Sequence, residues 1–319
     1  MDGPTVHCGP QTPARRDELC FSNGFACQVE STKSVVSTVT GIHNGKKDHH
    51  VSIKVFENSI SFLTHDKGQN MQGQATLLQA SFSHFERYFA TDIREGSETP
   101  LDEREPPEEL QFKVNVANFI QCLSIFGTGN LKTTSVRMDY DDKRCAFRLV
   151  LQHGEGNVLT ECSMQTIEDN DGELPNYFLA FSDTDIVGSV IVLSDSLRDA
   201  FSEIYSLPGA TSVYLLLSPT APFFQLAAIG STGRCDIEFP HGSESFSSFE
   251  CASPQQYRYQ LSLLQHALRA LSDSHQTFIR MNAEGMLCLQ HKIDHGQNEL
   301  SFVEFVILPE DDGDDEGAA

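Results

Sequence analysis

The acidic run MDYDDKR (138–144) holds the best-placed pair of carboxylates in the chain. Asp139 and Asp141 stand two apart, so on a strand they share one face. A metal-dependent nuclease needs more than a pair: several carboxylates must converge on ions about 3.5–4 Å apart. Asp142 and Lys143 read as a hairpin turn between strand-like runs, and the other acidic clusters fall in segments with loop composition. Histidines give no better grouping. His291 and His295, four apart, would align only on a helix, whereas HKIDHGQN reads as a strand entering a turn. His49 and His50 are adjacent and diverge on a strand. The sequence holds no GxxxxGK[ST] phosphate loop, no GxSxG elbow and no HExxH. The chain therefore reads as non-enzymatic, with no cofactor and no metal; a metal-dependent nuclease built on Asp139 and Asp141 is the alternative.

Composition narrows the class. With 319 residues the length suggests two domains. No run of about 18 apolar residues exists, so no membrane-spanning helix is expected. Nine scattered cysteines with no CxxC pair fit reduced thiols in the cytosol or nucleus. The net charge of -23 excludes a uniformly basic surface that grips nucleic acid. It leaves room for a shaped one, with the few cations gathered on one face.

Three stretches look irregular. Residues 1–20 read as a disordered lead-in, 95–109 as an acidic, proline-rich insertion, and 310–319 as a solvated acidic tail. Residues 168–185 read as a linker carrying Leu174, Pro175, Tyr177, Phe178 and Phe181. The remainder divides into domains at 21–167 and 186–309. Short runs of β-branched and aromatic residues dominate both: 50–56, 59–65, 110–116 and 144–151 in the first, 212–217, 223–229 and 300–308 in the second. An α+β fold of antiparallel sheets follows.

Four short helices interrupt the strands. Val35, Val39 and Ile42 form one apolar stripe after Ser31 as N-cap. Phe119, Cys122, Leu123 and Phe126 form the second, stopped by Gly127. Leu197, Phe201 and Ile204 follow Ser194, with Pro208 beyond; Leu264, Ala267, Leu268 and Leu271 make the last. Their spacing of about 70–85 residues suggests a strand–helix–strands unit present twice per domain. The opposite faces carry Lys33, Ser34, Ser37 and Thr38; Asn118 and Gln121; Arg198 and Ser202; Gln265 and Arg269. They read as outward, polar and poor in acids.

The segments QCLSIFG (121–127), LRDAFSEI (197–204), RYQLSLL (258–264) and FVEFVILPEDD (302–312) resemble the Rad-one subunit family of the heterotrimeric DNA-damage checkpoint clamp. The resemblance runs from about Phe25 to about Asp312. It implies a fold similar to the proliferating cell nuclear antigen, in which helices line the hole of a ring and sheets form its outside. Implied partners are Rad-nine-like and Hus-one-like subunits, a replication-factor-C-like loader, double-stranded DNA through the ring, and repair or signalling proteins with short hydrophobic motifs. The implied location is the nucleus. Lys33, Arg198 and Arg269 become hole-facing cations, with Lys46, Lys47 and Lys132 in nearby loops. Neighbours would pair through NVLTECSM (157–164) and RCDIEF (234–239). Those strands contribute Asn157, Val158, Leu159, Thr160, Glu161 and Cys162 on one side, and Arg234, Cys235, Asp236 and Ile237 on the other. Leu174, Phe178 and Pro309 would receive partner motifs. Proteins of this kind have also been discussed as 3′–5′ exonucleases. A β-rich scaffold without DNA is the remaining alternative.

Overall fold

A computed structural model describes residues 23–88, 110–154, 158–169, 174–240, 242–296 and 299–311. The lead-in at 1–20, the insertion at 95–109, Asn157, residues 170–173 of the linker and the tail beyond Asp311 lie outside the described residues.

The first half reads β1 (Gly24–Val29), α1 (Thr32–Ile42), β2 (His50–Val55), β3 (Ser59–His65), β4 (Met71–Leu78), β5 (His84–Tyr88), β6 (Leu110–Asn115), α2 (Val116–Leu123), β7 (Thr134–Asp141), β8 (Ala146–His153) and β9 (Val158–Gln165). A six-residue helix, α3 (Tyr177–Ser182), follows. The second half reads β10 (Ile186–Leu193), α4 (Ser194–Tyr205), β11 (Ser212–Leu217), β12 (Phe224–Gly230), β13 (Gly233–Phe239), β14 (Phe246–Cys251), β15 (Gln255–Gln260), α5 (Leu261–Ala267), β16 (Ser274–Asn282), β17 (Leu287–Gly296) and β18 (Glu299–Ile307). The two strings match element for element.

The strand orders match as well. Three antiparallel sheets run β5-β1-β7-β8-β9, β14-β10-β16-β17-β18-β4-β3-β2-β6 and β13-β12-β11-β15. The order β14-β10-β16-β17-β18 repeats β5-β1-β7-β8-β9, and β13-β12-β11-β15 repeats β4-β3-β2-β6. One difference breaks the symmetry. β18 pairs with β4, Val303 opposite Ala75 and Phe305 opposite Gly73, which fuses two of the four units into the nine-stranded sheet. Gly73 makes that pairing fit, since a Cβ there would come within 2.7 Å of the Phe305 ring. Their counterparts β9 and β13 are left at sheet edges.

Alternation explains why these runs are strands. In β6, Leu110, Phe112 and Val114 are buried while Gln111, Lys113 and Asn115 are half-exposed. Phe112 stacks on Tyr140 with ring centres 3.8 Å apart and packs near Phe147, which touches Phe119 of α2. The helices form where the apolar stripes predict. Ser31 caps α1, its Oγ accepting from the Lys33 amide, and Val35, Val39 and Ile42 are fully buried. Ser194 is the exception. It is the first residue inside α4, and its buried hydroxyl bonds Ser274 and Thr277 across the sheet. The fourth helix is shorter than its stripe, because the chain tightens into a 3-10 turn at Leu268–Ser272.

Two buried histidines couple this packing to pH. His291 is fully buried with Nδ1 3.0 Å from Thr277 Oγ1, and burial pushes its pKa down to about 4. His49 is held down to about 3 by burial first, then by His266 and His43. In the unfolded chain each titrates near 6.5, so below that pH the unfolded state takes up protons that the native state refuses. Stability is therefore full above pH 6.5 and falls on acidification toward the depressed values. His291 alone costs on the order of 1 kcal/mol between pH 7.5 and 5.5, and His49 adds to the loss. Urea unfolding at the two pH values checks this; equal stability would contradict it.

Candidate DNA-facing helices and subunit edges

The four longer helices lie in one row. α1 touches α2 on one side; on the other it meets α5 and the Leu268–Ser272 turn, and that turn touches α4. The same helices rest on the sheets, α1 on β4 and β18 and α4 on β10 and β16. Small residues set the height of α1. Ser34, Ser37 and Thr38 are buried against the sheet, with Thr38 Oγ1 donating to Ser301 Oγ at 2.8 Å. This corrects the outward placement of those three residues. A face of short polar side chains can sit on a strand when the strand offers hydroxyls, here Ser301, which also meets His295 at 2.8 Å. Gly41 lets α1 settle closer still, since a Cβ would lie 2.9 Å from Val303.

What remains exposed on the row is Lys33 and Thr40 on α1, Asn118 and Gln121 on α2, Ser262 and Gln265 on α5, and Arg269 and Ser272 on the turn after it. α4 exposes Arg198 and Ser202, but also Asp195, Asp199 and Glu203. Arg198 Nη2 lies 2.6 Å from Asp195 Oδ1. The expectation that the outward faces are poor in acids thus fails on α4: Asp195 stands one turn before Arg198 and pairs with it, while Asp199 and Glu203, four apart, form a second acidic stripe beside it. Lys46 and Lys47 are exposed in the segment after α1, and Lys132 in a 3-10 turn, Thr128–Thr133. Arg269 stands on the turn that touches both α1 and α4. Its guanidinium lies over Gly45, whose φ of 80° and missing side chain leave the space.

The two strands expected at subunit contacts are both edges. Among the described residues, β9 pairs only with β8, Cys162 opposite Leu149 and Thr160 opposite Leu151. Among the same residues β13 pairs only with β12, Ile237 opposite Leu226 and Cys235 opposite Ala228. On β9 Leu159 is 66% exposed and Val158 47%. Beside β13, Ile229 is 54% exposed. Such edges are open templates for another strand. Two other edge strands, β6 and β15, are each capped at one point. Lys113 of β6 exchanges both backbone bonds with Ile167, and the Glu310 amide donates to the Arg258 carbonyl of β15 at 2.7 Å.

Leu174, Phe178 and Pro309 are not gathered in one pocket. Leu174 borders a groove of about 310 Å³ over β2, β3 and β6, while Pro309 borders another of about 450 Å³ with Leu308, Gln260 and Leu263. Phe178 packs with Leu308 against Tyr177, Phe181, Met286 and Val306, which docks α3 on β18. Sequence reading left 168–185 as linker and missed α3. The signal was Asn176, which caps the helix by accepting from the Leu179 amide, followed by Tyr177 and Phe181 one turn apart.

Asp169 was also missed. It falls at the start of the stretch expected as a linker, yet its side chain is only 1% exposed. It accepts from Ser52 Oγ and Gln111 Nε2 and faces Lys113 Nζ at 3.2 Å. Asp139 and Asp141 do share the outer face of β7. Arg148 Nε binds Asp139 at 2.8 Å, and Arg144 stands 3.8 Å from Asp141.

A match to the family described as "Repair protein Rad1/Rec1/Rad17" spans residues 25–293. The human cell cycle checkpoint protein RAD1 is 30% identical over 207 residues, covering 64% of this chain and 71% of the relative. The DNA damage checkpoint control protein rad1 of Schizosaccharomyces pombe is 24% identical over 304 residues, covering 90% and 87%. The DNA repair exonuclease REC1 of Mycosarcoma maydis is 26% identical over 196 residues, covering 51% and 40%. That last name overturns the expectation of a non-enzyme: exonuclease activity is suggested for the family.

Proposed function

The chain belongs to the Rad1/Rec1/Rad17 family of repair proteins and is a DNA-damage checkpoint clamp subunit; we propose that it supplies one third of a three-subunit ring threaded by double-stranded DNA. The observation that carries the ring is the β18–β4 junction. Two of the four repeated units are already joined edge to edge inside the chain, and β9 and β13 offer the same two edges at the ends. Head-to-tail joints of this kind close into rings when the rotation allows. The neighbours are Rad-nine-like and Hus-one-like subunits. In this reading the domains are 21–167 and 186–309, bridged by 168–185 with α3 in it, and the setting is the nucleus.

The helix row then lines the hole, with Lys33, Lys46, Lys47, Lys132, Arg198 and Arg269 near the DNA backbone. A ring retains DNA by topology, so its lining needs only weak, sequence-independent phosphate contacts. The net charge of -23 is compatible with that. Opening the ring requires ATP hydrolysis by a replication-factor-C-like loader. Partner motifs would dock along α3 and the C-terminal segment, near Leu174, Phe178 and Pro309. Reversing Arg198 and Arg269 to Glu is expected to lower loading on circular DNA about fivefold or more at physiological salt, with ring assembly intact. Unchanged loading would count against the lining.

A second reading follows from the exonuclease relative. Asp139 and Asp141, on one strand face, are the residues we assign to it. Nucleotide release by the purified chain in Mg²⁺, lost in Asp139→Asn and Asp141→Asn, would support that assignment. Release that persists in both variants would contradict it.

A further inference from the structure

One groove of this acidic molecule is cationic. It lies where residues 43–49, the β3–β4 turn and α5 meet, encloses about 600 Å³, and draws Lys46, Lys67 and Arg269 from three separate segments. All three side chains are exposed, and among the described residues none is joined to a carboxylate. With 45 acids in the chain against 22 Lys and Arg, three cations without an acidic partner run against composition. Asp66 borders the groove, but its oxygens are taken up locally by the Gly68, Asn70 and Met71 amides.

A second groove, of about 450 Å³, adjoins the first. Asn70, Gln260 and Leu263 border both, and Leu308, Pro309, Glu310 and Asp311 close the second. The chain is pinned there after β18. The Leu308 amide donates to the Asn70 carbonyl at 2.8 Å and the Glu310 amide to the Arg258 carbonyl at 2.7 Å. Arg258 in turn meets the Glu310 carboxylate at 3.0 Å and donates to the Asp311 carbonyl at 3.0 Å. The residues that follow therefore start beside the cationic groove. They are Asp312, Gly313, Asp314, Asp315 and Glu316, four carboxylates in five positions. Five extended residues span about 17 Å, more than a wall one side chain thick.

We propose that residues 312–316 fold back into this groove, where their carboxylates pair with Lys46, Lys67 and Arg269 and close it to other anions. Each exposed pair is weak. Tethering offsets that weakness, because a short link holds the carboxylates near the groove at about millimolar effective concentration. A free acidic peptide at ordinary protein concentration does not match it. The contact loosens as salt rises, since exposed charges are screened over about 8 Å at physiological ionic strength. It lies within one chain and does not rest on the ring.

The test is carbodiimide coupling, which joins a lysine amine to a carboxylate with no spacer, on an equal mixture of unlabelled and nitrogen-15-labelled full chain at low salt. Peptides joining Lys46 or Lys67 to Asp312, Asp314, Asp315 or Glu316 are expected, each carrying a single isotope throughout, and they should fade at high salt. Lys132, exposed in the turn at the opposite end of α1, should not couple to those residues. Acetylation by a soluble succinimidyl ester gives a second readout. The variant carrying Asp312→Asn, Asp314→Asn, Asp315→Asn and Glu316→Gln should label at Lys67 about threefold faster than wild type, with Lys132 unchanged. Absence of coupling, coupling shared at random between the two isotopes, or equal labelling of Lys67 in both forms would overturn the proposal. So would coupling of Lys132 to these residues as strong as that of Lys67. Assembly of the same variant with the partner subunits reports the clamp reading separately.

Discussion

Replacing Leu159 by Glu is expected to leave a folded chain that no longer joins its proposed neighbour in the ring. Leu159 is 66% exposed on an edge strand, so the lone chain loses little by the change. In the ring it would be covered by the adjoining strand, and burying a leucine contributes about 1.5–3 kcal/mol. A carboxylate in its place also brings a desolvation cost. The dissociation constant for the neighbour on the β9 side should rise about tenfold to a hundredfold. Sedimentation of the mixed subunits measures it, with an unchanged unfolding midpoint for Leu159→Glu alone. Leu179→Glu is the control: that leucine is 59% exposed on α3, away from both edges, and its replacement should leave assembly intact. Unaltered assembly of Leu159→Glu would remove β9 from the contact.

The largest loss of stability should come from Asp169→Ala. The carboxylate is covered almost completely and answers Lys113, Ser52 and Gln111 at once. Removing one partner of a buried pair leaves the other charge uncompensated, which typically costs about 3–5 kcal/mol. Lys113 is 20% exposed and recovers part of its hydration, so the lower half of that range is expected. The segment before it loosens too, because Ile167 is tied to β6 by a backbone pair. Urea unfolding measures the effect, and pairing Asp169→Ala with Lys113→Met should recover part of it. A loss below about 1 kcal/mol would mean that Asp169 is not held as described.

These two residues mark what the sequence discloses and what it hides. Leu159 lies in a run, NVLTECSM (157–164), that only the resemblance marked out as a strand and as a subunit contact. Its place at an edge is a property of the whole sheet. The helices were legible because Val35, Val39 and Ile42, or Leu197, Phe201 and Ile204, repeat at a helical period over a sheet. The buried Ser34, Ser37 and Thr38 were not, since hydroxyls read as outward unless the strand beneath supplies partners such as Ser301. Asp169 looked like one more acid in an acidic linker, because its partners lie about 55 to 120 residues away in sequence. The nuclease question was settled least by pattern. Two aspartates on one face are also what paired strands with arginine neighbours look like, and a relative's name raised what the spacing alone had set aside.

The central claim is that β9 and β13 join this chain into a ring of three different subunits. Native mass spectrometry of the chain co-expressed with Rad-nine-like and Hus-one-like subunits tests it most directly. The account predicts one species with a single copy of each, which splits when Leu159→Glu is introduced. A chain that stays apart from both subunits as a stable monomer would contradict it.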